Sequence, residues 1–121
     1  EKKVDSISGG EYQLVQIARA LVQDPRVILL DEPTNNLDVA NQENVLKVLK
    51  QLISERDVCA IMTNHDINLS ARHSDRLVLL KDGRIYASGG KEVITSQSIK
   101  DVYGMDVTVE NVRGNPMIVP V

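Results

Sequence analysis

The sequence predicts an α/β fold in which a mostly parallel sheet is flanked by helices. Three observations carry that prediction. Short apolar runs, Val27–Leu30, Val58–Thr63 and Leu77–Leu80, have the length and character of strands. Between them lie stretches whose apolar residues recur at three- and four-residue spacing, as one face of a helix requires. The resulting rhythm of strand, helix, strand, helix, strand is that of an α/β sheet.

Each element can be justified in turn. The Ser6–Gly10 stretch ends in two glycines and leads into a helix with Leu14, Ile17, Ala18 and Leu21 on its apolar face. Asp24-Pro25 stops that helix, because proline disfavours the helical conformation in the residue before it. Val27-Ile28-Leu29-Leu30 is uninterrupted, as expected of a strand covered on both faces, and it runs into Asp31, Glu32 and Pro33. After an Asn-rich turn, Val45, Leu46, Leu49, Leu52 and Ile53 mark a second amphipathic helix.

Val58–Thr63 is a further buried strand leading into Asn64-His65-Asp66, with Cys59 as a small core residue. A short helix over Asn68–His73 precedes the strand Leu77–Leu80, and His73 is expected on the surface. Asp82-Gly83 is a two-residue hairpin signal with Arg84–Ala87 as the return strand. Ser98–Tyr103 reads as helical and stops at Gly104. The tail alternates Val107 and Val109, turns near Gly114-Asn115-Pro116 and continues as Met117-Ile118-Val119. Residues 105–121 thus read as a terminal hairpin extension of a chain, 1–121, that is one domain at most or a portion of one.

Composition narrows the function. With 121 residues the chain holds one domain at most, or part of one, since domains typically have about 100–200 residues. Its 42% hydrophobic content is enough for a core. No apolar run approaches the roughly 18–20 residues that span a bilayer, and no charged-then-apolar leader opens the chain. The sequence is therefore read as neither membrane-spanning nor secreted. A net charge of −3 and the absence of Phe and Trp argue against a nucleic-acid surface built on basic patches and base stacking. One cysteine allows neither an internal disulfide nor a cysteine metal site, which fits a reducing compartment.

Three short segments can carry chemistry. In Ser8-Gly9-Gly10-Glu11, glycines at a helix start allow close backbone approach, and the free N–H groups of a first turn attract phosphate. A flexible turn and helix cap is the plainer reading of that segment. In Leu30-Asp31-Glu32-Pro33, two acids end a strand where open α/β sheets place their ligands. One acid can hold Mg²⁺ through water while its neighbour orients or deprotonates an attacking water, and strand alternation would point the two apart. The alternative is a solvated strand end. In Asn64-His65-Asp66, the histidine can donate a hydrogen bond to a phosphate oxygen or simply cap a loop.

The order of the pieces is more specific than any one of them. Ser8-Gly9-Gly10-Glu11, Gln13, Ala18-Arg19-Ala20-Leu21, Ile28–Pro33, Asn36-Leu37-Asp38 and His65-Asp66 together resemble the C-terminal half of an ATP-binding cassette (ABC) ATPase. The resemblance runs through nearly the whole chain. It implies that Ile7–Glu11 is similar to the signature loop, with Ile7 where Leu is usual, and that Ser8, Gly9, Gly10 and Glu11 face the γ-phosphate of ATP held by an opposite subunit. It implies a Walker B strand over Val27–Asp31, with Asp31 holding Mg²⁺ through water and Glu32 as catalytic general base. Asn35-Asn36-Leu37-Asp38 resembles the D-loop at the dimer interface, with Asn35-Asn36 in place of the common Ser-Ala and Asp38 retained. His65 resembles the switch histidine on the γ-phosphate, and Leu77–Gly89 resembles the stretch that follows it in transporters.

The tail narrows the resemblance. Val102-Tyr103-Gly104, Val107-Thr108-Val109 and Pro116–Pro120 are similar to the ends of ATPases serving iron–siderophore, haem and cobalamin importers, and His65–Leu69 also fits that group. No Gly-x-x-x-x-Gly-Lys-Ser/Thr occurs, so the Walker A strand and loop of the P-loop NTPase fold are not in this sequence. The expected parent uses ATP and Mg²⁺. Its expected partners are the N-terminal half of the same ATPase, a second ATPase subunit in a head-to-tail dimer, and transmembrane permease subunits that hold it on the inner face of the cell membrane. No nucleic-acid partner is expected, and the chain alone should have little or no ATPase activity.

In that fold the missing strand lies between those matching Val58–Thr63 and Leu77–Leu80. Unpaired edges are therefore expected, and the isolated chain should self-associate, exchange segments or be marginally stable. Two other readings compete: the C-terminal lobe of an SMC-type DNA-repair or chromosome ATPase, and a non-catalytic truncated module that pairs with a full-length partner. The importer-like tail and the Leu77–Gly89 hairpin favour the transporter.

Overall fold

A computed structural model describes residues 9–121, which divide after His65 into two compact units. The first begins with helix α1 (Gly9–Val22), which stops where Asp24 takes a left-handed backbone (φ 54°) ahead of Pro25. Strand β1 (Val27–Leu30) follows, then helix α2 (Val39–Arg56) and strand β2 (Cys59–Met62). Asp38 caps α2 by accepting the Asn41 N–H at 2.7 Å. At its other end Asp57 adopts the left-handed conformation (φ 54°) that commonly terminates helices. Among the described residues of this unit, Ile17, Leu21, Ile28, Val45, Leu46 and Leu49 are the buried core hydrophobics.

Strands β1 and β2 pair in parallel, with Val27, Ile28, Leu29 and Leu30 opposite Cys59, Ala60, Ile61 and Met62. Partnered residues in a parallel ladder share a face, so Val27, Leu29, Cys59 and Ile61 lie together. That face is open: Leu29 is 76% and Ile61 56% exposed. The expectation that β1 is covered on both faces is therefore wrong for this chain, and Cys59 is exposed rather than a core residue. Helix α1 differs in the same way. Ile17 and Leu21 are buried and Leu14 is half-buried, but Ala18 faces solvent.

The second unit starts with helix α3 (Ile67–His73), capped by Asp66 through the Leu69 N–H at 3.0 Å. His73, expected on the surface, is half-buried. Strands β3 (Leu77–Lys81) and β4 (Arg84–Gly89) form an antiparallel hairpin. Its two-residue turn, Asp82-Gly83, has positive φ at both positions (52° and 74°), the geometry that suits the twist of paired strands. A register shift at Leu79/Leu80 marks a bulge. A 3-10 turn at Lys91–Val93 leads to helix α4 (Ser96–Tyr103), which has a reciprocal capping box between Thr95 and Ser98 and ends at Gly104 with φ 70°.

Strands β5 (Val107–Val112) and β6 (Asn115–Pro120) close the unit as a second hairpin. Its turn is Arg113-Gly114, one residue earlier than the composition suggested, because both residues take positive φ while Asn115 and Pro116 already belong to β6. Ala71, Leu77, Ile94, Ile99 and Val107 form the core, with Ile67, Val93, Val109 and Ile118 packed against it.

Among the described residues the six strands form three two-stranded sheets, one parallel and two antiparallel. Parallel pairing is thus confined to the first unit, and each strand keeps one edge without a strand partner among the described residues. No described helix is long and apolar enough to cross a membrane.

Candidate active site

The carboxyl ends of β1 and β2 lie side by side, and their next residues carry the acids and the histidine. The parallel ladder continues one step past the paired residues, through the Thr63 N–H to the Leu30 carbonyl at 3.0 Å. From there the Thr63 hydroxyl donates to Asp31 Oδ1 at 2.7 Å and accepts the Glu32 N–H at 2.9 Å. The Glu32 carbonyl accepts the Asn35 N–H at 3.0 Å, which begins the turn toward α2.

Glu32 has a left-handed backbone, φ 45°, an uncommon conformation for a residue with a side chain. Strand alternation therefore does not separate the two acids, because Glu32 lies beyond β1 in this reversed geometry. Asp31 is exposed and Glu32 half-buried. His65 Nε2 lies against Glu32 Oε1, and the His65 side chain is 91% exposed. Asp31, Glu32 and His65, drawn from segments more than 30 residues apart, are brought to one place.

A second grouping forms where the first turn of α1 packs against the loop and first turn of α2. A Cβ added at Gly9 would lie 2.8 Å from Leu37 Cδ2, and one at Gly10 would lie 2.9 Å from Asn41 Oδ1. Neither glycine has the positive φ that would itself demand glycine. The close approach at these glycines is therefore to the side-chain ends of Leu37 and Asn41 in the protein itself. Gly10 is buried, while Gly9 and Glu11 are exposed. Asp38, expected at an ATP and dimer interface, acts in this structure as the cap of α2. Ser8 lies outside the described residues.

Sequence reasoning missed Thr63 and Asn41, and it placed Leu37 only in a loop at the dimer interface, not against Gly9. A hydroxyl residue closing an apolar strand just before Asn64-His65 was the available signal for Thr63. For Leu37 and Asn41 there was none, because their contacts with the glycines exist only after the helices pack. A shallow depression lined by Lys81, Asp82, Arg84, Ile85 and Tyr86, in the second unit, includes none of these site residues.

These elements form a partial P-loop ATPase fold of the ABC type. The family described as ABC transporter matches residues 1–35. Relatives of this chain are ABC ATP-binding proteins, hemin and siderophore import components among them. It is 53% identical, over 97% of its length, to an uncharacterized ABC transporter ATP-binding protein of Methanocaldococcus jannaschii, of which it spans 46%. It is 42% identical, over 93% of its length, to a hemin import ATP-binding protein of Escherichia coli, of which it spans 48%.

Among solved structures, a metal-chelate type ABC transporter in an inward-facing conformation matches all of this chain and 50% of its own, with a TM-score of 0.84 and 28% identity. The chain spans about half the length of the relatives it matches.

Proposed function

We propose that this chain is part of the ATP-hydrolysing subunit of an ABC importer of the iron–siderophore, haem or cobalamin type. The observation that carries the reading is the convergence of Asp31, Glu32 and His65 at the carboxyl ends of two parallel strands. The relatives named for hemin and siderophore transport favour the importer class.

The residues fit Mg²⁺ held in its usual manner with nucleotides. Among the described residues no group of three or more His, Cys, Asp or Glu side chains is arranged to hold a metal ion by itself. Mg²⁺ characteristically takes one or two carboxylates, water and substrate phosphates instead. Thr63 engages Oδ1 of Asp31, which leaves the rest of an exposed carboxylate for a metal-bound water. When bound, the ion neutralises charge on the transferring phosphoryl group. Glu32 serves as general base, accepting a proton from the attacking water. His65, exposed beside Glu32, donates a hydrogen bond to the terminal phosphate. In this reading Ser8, Gly9, Gly10, Glu11 and Asp38 are assigned to the contact with nucleotide and dimer partner, as the resemblance implies.

The partners in this reading are the remaining half of the ATPase domain, a second ATPase subunit and the permease subunits. The site of action is the cytoplasmic face of the membrane. The chain alone hydrolyses little ATP, because positioning and charge stabilisation of the phosphates dominate phosphoryl transfer and this sequence has no phosphate-cradling loop.

The test is Glu32→Gln in the full-length protein, with ATP binding and hydrolysis measured separately. Binding should be retained while hydrolysis falls by about 10²–10⁴-fold, the usual scale of general-base catalysis. Turnover within about tenfold of wild type, inside that scale's lower bound, would remove Glu32 from the mechanism.

A further inference from the structure

We propose that Thr63 is the positioning residue that sets the geometry between the metal-holding acid and the general base. The inference rests on the roles given above to Asp31 and Glu32. Three hydrogen bonds tie this one residue to three consecutive residues of the neighbouring strand end. Its N–H donates to the Leu30 carbonyl, its hydroxyl donates to Asp31 Oδ1, and the same hydroxyl accepts the Glu32 N–H.

A hydroxyl has one proton and two acceptor lone pairs. With its proton committed to Asp31, the Thr63 oxygen meets the Glu32 N–H as an acceptor. The two bonds therefore fit together, and neither requires the other to be given up. The first bond of the set is part of the parallel ladder, so the sheet itself fixes where the hydroxyl stands.

The left-handed backbone of Glu32 is held from both sides, by Thr63 at its N–H and by the Asn35 N–H at its carbonyl. Strand alternation cannot aim the Glu32 side chain from this position. The aim is set by the reversed backbone, and Thr63 is what anchors that backbone to β2. The Asp31 carboxylate is oriented by the same atom, so one oxygen governs the relation between the two acids.

The test compares wild type, Thr63→Val and Thr63→Ser in the full-length protein. Three quantities are measured: kcat and KM for ATP, the Mg²⁺ concentration for half-maximal turnover, and hydrogen exchange at the Glu32 amide. The valine variant keeps the shape and loses the hydroxyl. It should lower kcat and raise the half-saturating Mg²⁺ by about 10–100-fold, the usual effect of removing a residue that orients a metal-binding group. KM for ATP should change little, and the Glu32 amide should exchange faster. The serine variant should restore all three quantities.

A valine variant with wild-type kcat, Mg²⁺ dependence and Glu32 exchange overturns the proposal, as does a serine variant no better than valine. Should the valine variant not fold, serine is compared with Thr63→Cys, a weaker hydrogen-bonding group. Serine must then match wild type and cysteine must raise the Mg²⁺ requirement; equal behaviour of the two overturns the proposal. Glu32→Gln run alongside separates the two levels. If it retains turnover, the catalytic reading itself fails and the positioning role falls with it. If it abolishes turnover while Thr63→Val does not disturb it, only the role of Thr63 fails.

Discussion

The side-chain amide of Asn68 pairs with the backbone of Ile118. Oδ1 accepts the Ile118 N–H at 2.7 Å, and Nδ2 donates to the Ile118 carbonyl at 3.3 Å. Asn68 thereby acts as a one-residue strand partner for β6, satisfying polar groups on the strand's outer edge. The pairing joins the first turn of α3 to the terminal hairpin across 50 residues. Both segments had suggested the same importer group from sequence alone, and the structure supplies a physical link between them.

Replacing Asn68 with alanine removes both bonds and leaves a partly buried N–H and carbonyl without these partners. The expected loss is about 1–3 kcal/mol of stability in the unit beginning at Asp66, the usual cost of an unsatisfied buried polar group. Asn68→Asp keeps the acceptor and loses the donor, so it should lie between alanine and wild type. Urea denaturation of the three proteins gives the order directly.

The open face of β1 and β2 makes a second prediction. Leu29 and Ile61 are cross-strand partners on that face, with Val27 and Cys59 beside them. A contiguous apolar surface next to unpaired strand edges favours association. The isolated 121-residue chain should elute as a concentration-dependent oligomer. Replacing both Leu29 and Ile61 with glutamate should shift it toward monomer. Monomeric wild-type chain at high concentration would refute the prediction.

Tyr86 and Asp101 predict a pH dependence of stability. The hydrogen bond from the Tyr86 hydroxyl, then that from Gln97, holds the Asp101 carboxyl below its ordinary 3.8. The same bond to Asp101, with desolvation and the carboxylate's charge, raises the Tyr86 phenol above 10.0. A depressed acid stabilises the fold above its unfolded value and loses that contribution as pH falls through the folded one. A raised phenol stabilises below its unfolded value and loses that contribution as pH rises through the folded one. The stability difference between wild type and Tyr86→Phe should therefore be constant between about pH 5 and 9 and shrink beyond both limits. Denaturant midpoints across that range test it, and a difference that persists unchanged at both extremes would rule it out.

Much of the architecture was legible in local patterns. Asp24-Pro25 ended α1, Asp82-Gly83 turned the β3–β4 hairpin and Gly104 stopped α4, because each depends on the backbone preferences of a few adjacent residues. The same was true of candidate chemistry: Asp31-Glu32 and His65 stood out as polar residues ending apolar strands. Where expectation failed, the missing information was distant. Cys59 and Leu29 look like core residues in an apolar run, and only the packing determines which strand face is covered.

The sequence by itself determined most of the strands and helices, the ends of α1 and α4, and the acids and histidine able to do chemistry, since these follow from dihedral preference, periodicity and functional groups. Tertiary structure alone decided that Thr63 bridges Asp31 and Glu32, that Gly9 and Gly10 make room for Leu37 and Asn41, and that Asn68 completes the edge of β6. The physical reason is the reach of the interactions. A hydrogen bond or a close van der Waals contact acts over a few ångströms, and most of these partners, separated by about 30 to 50 positions along the chain, meet only when the strands and helices have packed.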